Sequence, residues 1–276
     1  SYPSRLVLEM GVDRPGDFDH ALAYIKPHIT VVTAIGEVPV HVEFFADPEA
    51  IAREKSKLVK ALYLDGTAIL NADDPLVLGM KKKTEAKIST YGFGPEAKLR
   101  AVAYRLLVHQ GIPAGIAFKI DYDGKTMPVK VPGVIGEQNV YVLLAAAAVG
   151  VAEGLNLVEI SEGLGKFVSP PGRLHVIKGK NESIIIDDSY NASPLAVSAA
   201  LHVLSELPAK RKIAVLGDML ELGKFTTEEH KKIGIEAAHA ADMIVAVGLR
   251  AKFMETEQSR SFHWFKSSDE AGEFLK

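Results

Sequence analysis

Polar side chains crowd the position where an apolar segment ends near residue 187. Three isoleucines, residues 184–186, lead directly into DDSYNASP, residues 187–194, which carries carboxylate, hydroxyl, phenol and amide groups. In α/β proteins, ligands bind beyond the carboxyl ends of parallel strands. The stretch therefore occupies the place at which this class of protein puts its chemistry.

Two further apolar segments end in groups that suit a hard cation. Glu9 ends LVLE, and His41 and Glu43 follow the second apolar segment. Carboxylates bind magnesium well, and a histidine beside two acids makes a cation site plausible, although magnesium does not require histidine. For each residue alone, a capping acid or a structural histidine is the commoner role.

Lys55 lies in AIAREKSKL, a segment whose apolar residues have helical spacing. A lysine on a helix surface is normally a solvated charge. Here Ile51, Leu58 and Leu62 place the apolar stripe closer to Lys55 than to Lys57. A buried lysine has a lowered pKa and becomes chemically available.

Three more motifs have both a chemical and a structural interpretation. LNADDP places Asn71 and two acids at a strand end, where such residues also suit a turn. Arg173 in PPGR could clamp a phosphate with two hydrogen bonds or form a surface ion pair. VLGDMLELGK is not a phosphate-binding P-loop, because five residues separate its glycines and phenylalanine follows its lysine. No G-x-x-x-x-G-K-[ST] motif occurs anywhere in the 276 residues.

The composition is that of an ordinary globular protein. Of 276 residues, 47% are hydrophobic and 24% charged, and the net charge is -3. The charge gives no sign of nucleic-acid or membrane-surface binding, and no apolar run reaches the ~20 residues of a membrane span. The absence of cysteine excludes disulfides and cysteine nucleophiles, and it fits a reducing compartment.

Apolar strands alternate with helical segments in both halves, which predicts an α/β fold with a mostly parallel sheet. RLVLEMG and HITVVTAIG are predicted buried strands, and YDGK is a predicted hairpin turn. VSPPGRLHVI contains two prolines that stop a helix and is the candidate linker. After it, ESIIIDD, KIAVLGDM and DMIVAVG are strands that alternate with helices. We therefore predict domains at residues 1–169 and 170–276.

Taken in order, these motifs resemble the Mur ligase family. They are LVLEMG, HVEF leading into IAREK, LNADDP, PGRL, DDSYNASP and LGDMLELG, of which the last two are the most specific. The resemblance covers nearly the whole chain. It implies a partial central P-loop-type ATPase domain without its P-loop segment, followed by a Rossmann-like C-terminal domain that is expected to be incomplete.

The resemblance also implies a role for each candidate residue, and Lys55, His41 and Arg173 are expected to act in catalysis. Glu9 and His41 match magnesium ligands, and Lys55 matches a lysine that is carbamylated beside the metal. Arg173 matches an arginine that reaches the ATP phosphates. The other matches are Asn71 at the adenine, Asp188 at the ribose, Tyr190 and Asn191 beside the nucleotide, and Asp218 and Glu221 near the dipeptide site.

The implied reaction is ATP-dependent peptide-bond formation through an acyl phosphate. D-alanyl-D-alanine would be added to UDP-N-acetylmuramoyl-tripeptide in peptidoglycan precursor synthesis, with ATP and Mg²⁺ as cofactors, by a cytoplasmic monomer. A P-loop cradles phosphates with its backbone N–H groups. Since the motif is missing, the chain as given is expected to be a fragment that binds ATP poorly and does not turn over.

Two alternatives stay open at this point. One is a ligase of related architecture, such as folylpolyglutamate synthase, against which DDSYNASP and GDMLELG argue. The other is a natural paralogue without a P-loop that binds a substrate or partner and catalyses nothing. The preserved metal and nucleotide residues favour the ligase, because a non-catalytic protein has little physical need for all of them.

Overall fold

The first part of the fold is a six-stranded sheet. We describe the protein from a computed structural model, which covers residues 4–276. The strand order is sequential, with β1 to β4 parallel and β4 to β6 antiparallel, so the predicted YDGK hairpin joins the last two strands. The strands are β1 Ile29–Val32, β2 Thr67–Asn71, β3 Lys87–Gly92, β4 Leu99–His109, β5 Ile112–Tyr122 and β6 Lys125–Pro132.

Helices cover this sheet, and their ends follow local sequence signals. The helix that carries Lys55 begins where Asp47 accepts a hydrogen bond from the Ala50 N–H, with proline at the first helical position. The alanine-rich helix packs against the sheet in the largest hydrophobic cluster, as its apolar sequence predicts. No helix within residues 4–276 combines the length and apolar character needed to cross a membrane. The helices are α1 Asp17–Leu22, α2 Pro48–Lys60, α3 Pro75–Leu78, α4 Glu137–Ala152 and α5 Leu157–Leu164.

The second part contains a three-stranded parallel sheet in the order β11-β10-β9. The central strand is the most buried, as expected for a strand with neighbours on both sides. Residues 165–174, between α5 and the next strand, contain no helix or strand, and the predicted boundary at 169/170 falls within them. The elements are α6 Pro194–Glu206, β9 Ile213–Gly217, α7 Thr226–Ala240, β10 Met243–Val247, β11 Phe262–Phe265 and α8 Ser268–Leu275.

The strand that precedes DDSYNASP differs from the prediction. It is β8 (Ile184–Asp187), and it pairs antiparallel with β7 (His175–Lys178) instead of joining the parallel sheet. The two strands are joined by a tight turn in which Asn181 and Glu182 adopt positive φ. A short loop costs little entropy to close, so the local hairpin competes well against a distant parallel partner.

The prediction of a strand at RLVLEMG was wrong. Residues 5–13 belong to no helix or sheet, and Leu6 and Val7 are 73% and 93% exposed. Among the described residues, β1 pairs only with β2, so this segment has no ladder partner. An apolar sequence alone does not make a strand, because strands are stabilised by hydrogen bonds and side-chain pairs with a neighbour.

The two parts of the molecule touch through apolar contacts at two places and a backbone hydrogen bond. At one place the buried Ile135 of the first part packs with Val203 and Leu207 of the second. Val38 and Phe225 each pack against both the cluster beneath β1 and β2 and the cluster around β9 and β10. The Glu43 N–H donates to the Glu221 carbonyl at 3.2 Å. A side chain added at Gly223 would lie 3.2 Å from the Glu43 Cα, so the two backbones approach closely here.

Candidate functional site

The linker and the end of β8 bring together three of the predicted nucleotide residues. The Arg173 guanidinium lies over the Tyr190 ring, 4.3 Å from its centroid. Asp188 accepts the Leu174 N–H at 3.0 Å, and the Tyr190 N–H donates to the Gly172 carbonyl. Tyr190 is 72% exposed and Arg173 is exposed, so a cation and a flat ring face solvent side by side. Such a pair can receive a phosphate and a flat ring.

Asp188 is half-buried, and its environment acts on its charge in two directions. Burial raises the pKa of Asp188, while the Leu174 hydrogen bond and the Arg173 charge oppose that rise. Asn191 is different, because it is exposed and, within residues 4–276, its side chain accepts only the N–H of the next residue. Asn191 therefore lies beside the other three with its amide nitrogen available.

Lys55 is half-buried on α2, as its place near the apolar stripe predicted. Burial lowers the pKa of Lys55, and the Asp74 carboxylate opposes part of the shift. No carboxylate among the described residues forms an ion pair with it. The neutral amine needed for reaction with carbon dioxide is therefore favoured relative to a solvated lysine.

LNADDP serves mainly as scaffold, the structural alternative considered for it. Asp74 accepts four backbone N–H groups, two from the loop after β1 and two from the start of α3. Asp73 accepts two backbone N–H groups beyond β3 and the Tyr141 hydroxyl. Asn71 is buried, donates to the Thr33 carbonyl and accepts the Asp73 N–H. In this arrangement the Asn71 amide is committed to the protein itself.

His41 and Glu221 meet across the contact between the two parts of the chain. His41 Nδ1 touches the Glu221 carboxylate without the geometry of a hydrogen bond, and Nε2 lies 3.4 Å from Asp13. Both His41 and Glu221 have positive φ, 64° and 60°. A positive φ is uncommon for residues other than glycine and is often found at functional positions.

Asp218 is held by its own domain. Its carboxylate accepts the N–H groups of Leu249, Arg250 and Ala251 at 3.1, 2.8 and 2.7 Å. It thereby fixes the turn that follows β10. Glu221, the other residue predicted near the dipeptide, instead contacts His41 in the first part of the chain.

Glu9 lies away from this arrangement, in the exposed segment before α1. Across residues 4–276, no group of three or more histidine, aspartate or glutamate side chains is arranged to hold a metal ion. Glu9 and His41 are therefore not part of such a group, and the predicted set of Glu9, His41 and a modified Lys55 stays a prediction.

Sequence analysis missed Asp13, Tyr141 and His230, each of which bonds or contacts a candidate motif. His230 gave a usable signal: it lies at helical spacing from Ile233 and Ala237, so a histidine occupies the buried stripe of α7. Tyr141 and Asp13 gave none, since each contacts its partner only through the tertiary fold.

Fold and candidate site together define a two-part α/β protein with an exposed cation and aromatic ring at the linker. The chain belongs to the Mur ligase family. Residues 3–150 match the Mur ligase middle domain, and residues 172–275 match the domain described as Mur ligase, glutamate ligase domain.

Individual relatives resemble the chain over nearly all of its length. The UDP-N-acetylmuramoyl-tripeptide–D-alanyl-D-alanine ligase of Escherichia coli is 29% identical, over 94% of this chain and 56% of its own length. The ligase of the same name from Bacillus subtilis is 30% identical, over 95% and 56%. A crystal structure of MurF from Acinetobacter baumannii superposes with a TM-score of 0.86 at 30% identity, covering 97% of this chain and 57% of that one. The chain thus spans about half the length of the relatives it matches.

Proposed function

We propose that the protein to which this chain belongs is an ATP-dependent ligase that adds D-alanyl-D-alanine to UDP-N-acetylmuramoyl-tripeptide. The observation that carries the proposal is the similarity of both domains, over 94% of the chain, to a ligase of that name. The candidate residues support it, because they place a cation, a flat ring and a reactive amine on the two domains that a ligase must bring together.

The chemistry explains why such a ligase needs a nucleoside triphosphate. Joining a carboxylate to an amine in water is unfavourable, so a carboxylate oxygen first attacks the γ-phosphorus of ATP, the bond to the bridging oxygen breaks, and ADP leaves as the acyl phosphate forms. The neutral dipeptide amine then attacks the acyl carbon, the carbon–oxygen bond to phosphate breaks, phosphate leaves with the electron pair, and the nitrogen releases a proton. Positioning of the two reactants and stabilisation of the phosphoryl charge supply most of the rate enhancement.

In this proposal Arg173 contacts the ATP phosphates, and Tyr190, Asn191 and Asp188 lie beside the nucleoside. The support is the exposed Arg173–Tyr190 pair, 4.3 Å apart, which stands beside the half-buried Asp188 carboxylate. Asn71 is proposed to contribute to the adenine pocket by shaping it, since its own amide is hydrogen-bonded to Thr33.

Lys55 is proposed to carry a carbamate, and its environment supports this. Carbamate formation joins the neutral amine to carbon dioxide with loss of a proton, so the lowered pKa of Lys55 favours it. Magnesium belongs to the proposal through family membership, with Glu9, His41 and the carbamate as ligands. In the described arrangement Glu9 is exposed in the segment before α1, and His41 Nδ1 contacts the Glu221 carboxylate.

Asp218 and Glu221 are proposed to form the floor and the contact point of the dipeptide site. Asp218 acts by fixing the turn after β10, and Glu221 offers a carboxylate to the dipeptide ammonium. Since both substrates of the proposed reaction are cytoplasmic metabolites in this scheme, we place the protein in the cytoplasm.

The test is a ligation assay on the product of the complete reading frame that contains these 276 residues. It measures phosphate release from ATP with UDP-N-acetylmuramoyl-tripeptide, magnesium and bicarbonate, with and without D-alanyl-D-alanine. Dipeptide-dependent release is expected, and L-glutamate in place of the dipeptide is expected to give none. Release that depends on glutamate would overturn the substrate assignment, and no release with either acceptor would favour a non-catalytic paralogue.

The 276-residue chain is the matched comparison in the same assay. Because it contains no P-loop motif, we expect no measurable release from it. Dipeptide-dependent release by the short chain would mean that its residues form a complete phosphate site on their own.

A further inference from the structure

His230 lies in the interior of the second domain although histidine is a polar residue. It sits on α7 and is 0% exposed, among the apolar residues that surround β9 and β10. A buried polar group is costly unless it is hydrogen-bonded. Both ring nitrogens of His230 are bonded, one within its own helix and one to the loop that carries Asp218 and Glu221.

These two hydrogen bonds fix the protonation of the ring. The Met219 N–H donates to His230 Nε2 at 3.1 Å, so Nε2 must be the acceptor nitrogen. Nδ1 lies 2.7 Å from the Thr226 carbonyl, which can only accept, so Nδ1 carries the proton. A proton on both nitrogens would set the Nε2–H against the Met219 N–H. The ring is therefore neutral and held in one tautomer.

The loop between β9 and α7 is anchored at several points, and His230 supplies the central one. Before it, Asp218 is tied to the turn after β10. After it, the Thr226 hydroxyl donates to the Gly223 carbonyl at 2.8 Å. Between these points the buried Met219 side chain and the His230 bond hold the backbone. Glu221, two residues further on, has positive φ and turns outwards to His41.

A second histidine on the same helix shows what is particular to His230. His239 Nδ1 bonds the carbonyl four residues earlier at 2.8 Å, as His230 does. His239 is exposed and has no bond to another element within the described residues. The bond to the preceding turn is thus a local helix feature, whereas the bond to Met219 links the helix to the loop.

We propose that His230 is a positioning residue of the ligase: by accepting the Met219 N–H, it fixes the loop that aims Glu221 at the central domain. The catalytic consequence of this orientation rests on the proposed function, in which Glu221 meets the dipeptide ammonium. The claim that His230 holds the loop does not depend on any ligand.

Two substitutions distinguish a hydrogen-bonding role of His230 from a role in packing alone. In His230→Gln the side-chain oxygen can reach the position of Nε2 and still accept the Met219 N–H. In His230→Asn the shorter side chain can reach Thr226 but not Met219. Packing alone would make the shorter variant only somewhat less stable, with no effect confined to one amide.

The measurement is amide hydrogen exchange of the 276-residue chain, followed by NMR. In His230→Asn we expect the Met219 amide to exchange roughly 5- to 30-fold faster, because one buried hydrogen bond is lost. In His230→Gln we expect exchange within about twofold of the wild type, given that the bond is retained. The control is His239→Gln, which should leave the Met219 amide unchanged.

The ring itself gives a second readout. Long-range proton–nitrogen spectra of the wild type should show His230 protonated on Nδ1 and unprotonated on Nε2. The opposite tautomer, or equal Met219 exchange in the Gln and Asn variants, would overturn the proposal. A failed ligation assay would remove the proposed function but leave both of these readouts intact, so the two failures are distinguishable.

Discussion

Two strand-end motifs use their polar groups in opposite ways. After β2, Asp74 and Asp73 accept six backbone N–H groups and a tyrosine hydroxyl between them, and Asp74 is only 8% exposed. After β8, the Asn191 side chain bonds only its neighbour within residues 4–276, and Tyr190 is 72% exposed. The first motif uses its side-chain hydrogen bonds on the fold, whereas the second leaves the Tyr190 ring and the Asn191 amide nitrogen open to solvent.

The difference shows that an acid at a strand end is not in itself evidence for binding. A carboxylate that is already saturated by backbone N–H groups has no lone pair left for a substrate. One that is half-buried with few partners, such as Asp188, keeps that capacity. Within the loop after β9, Asp218 and Glu221 repeat the contrast over only four residues.

The largest effect is expected when a scaffold acid is removed. Asp74→Ala leaves four backbone N–H groups without their acceptor, two of them in the loop after β1. We expect the free energy of unfolding to fall by about 3 kcal/mol. Urea denaturation followed by circular dichroism measures it.

Asp65→Ala is the matched control for that measurement. Asp65 is an exposed acid in the turn before β2, and its removal should cost less than about 0.5 kcal/mol. If the two variants unfold at the same urea concentration, the distinction between scaffold and ligand-binding acids fails.

A smaller effect is expected for Asp218, which accepts three N–H groups. Asp218→Ala should lower the free energy of unfolding by about 2 kcal/mol, and Asp218→Asn by roughly half as much because one oxygen is retained. Thermal denaturation of the three proteins tests the order. An alanine variant as stable as the wild type would show that Asp218 does not stabilise the fold, and it would then be grouped with the candidate ligand-binding acids.

His230 should make stability depend on pH. Burial lowers the pKa of His230 below its ordinary value; the charges facing it are Asp218, Glu229 and Arg250. Below about pH 6.5 the unfolded chain binds a proton that the folded chain resists, so stability is present at neutral pH and is lost as the pH falls. Between pH 7 and 5 the wild type should lose about 1 kcal/mol relative to His230→Gln.

Urea denaturation at several pH values measures this difference. The comparison with the glutamine variant removes every other titrating group, since the two chains differ at one residue. A constant difference across the range would show that His230 takes up its proton in the folded protein as readily as in the unfolded one.

The smallest stability effect is expected in the exposed motif. Tyr190→Ala should change the free energy of unfolding by less than about 0.5 kcal/mol, because the ring is largely solvated. In the product of the complete reading frame, the same change should weaken ATP binding about fivefold through loss of stacking and of the Arg173 contact. Calorimetric titration with ATP measures the change in affinity. A large loss of stability without loss of affinity would mean that Tyr190 serves the fold and not the ligand.

Elements set by local signals were predicted well from the sequence. The apolar strands β2 and β10 and the helix begun by Asp47 and Pro48 all form as expected. RLVLEMG does not form its predicted strand, because a strand depends on a partner. ESIIIDD does form its predicted strand, β8, but pairs antiparallel, because a short hairpin closes more readily than a long connection.

Only those parts of the candidate site that lie within recognisable motifs could be predicted from the sequence. The family resemblance grouped Arg173, Asp188 and Tyr190, and the structure brings them together around the linker. The contact of His41 with Glu221 could not be predicted, since it depends on how two separately folded parts dock. Nor could the sequence decide that Asp74 is saturated while Asn191 is not, because both are polar residues at strand ends.

Phe225 is part of the contact that holds the two parts of the chain in one relative position. The ring is shared by the two hydrophobic clusters, with Val38 beside it. Burying an aromatic side chain is worth about 2 kcal/mol, a few times the thermal energy. A swivel of one part against the other would have to free this ring, the backbone bond at Glu43 and a second cluster, in which Ile135 packs with Val203 and Leu207. The two parts are therefore held at more than one place, and losing a single aromatic contact would not release one from the other.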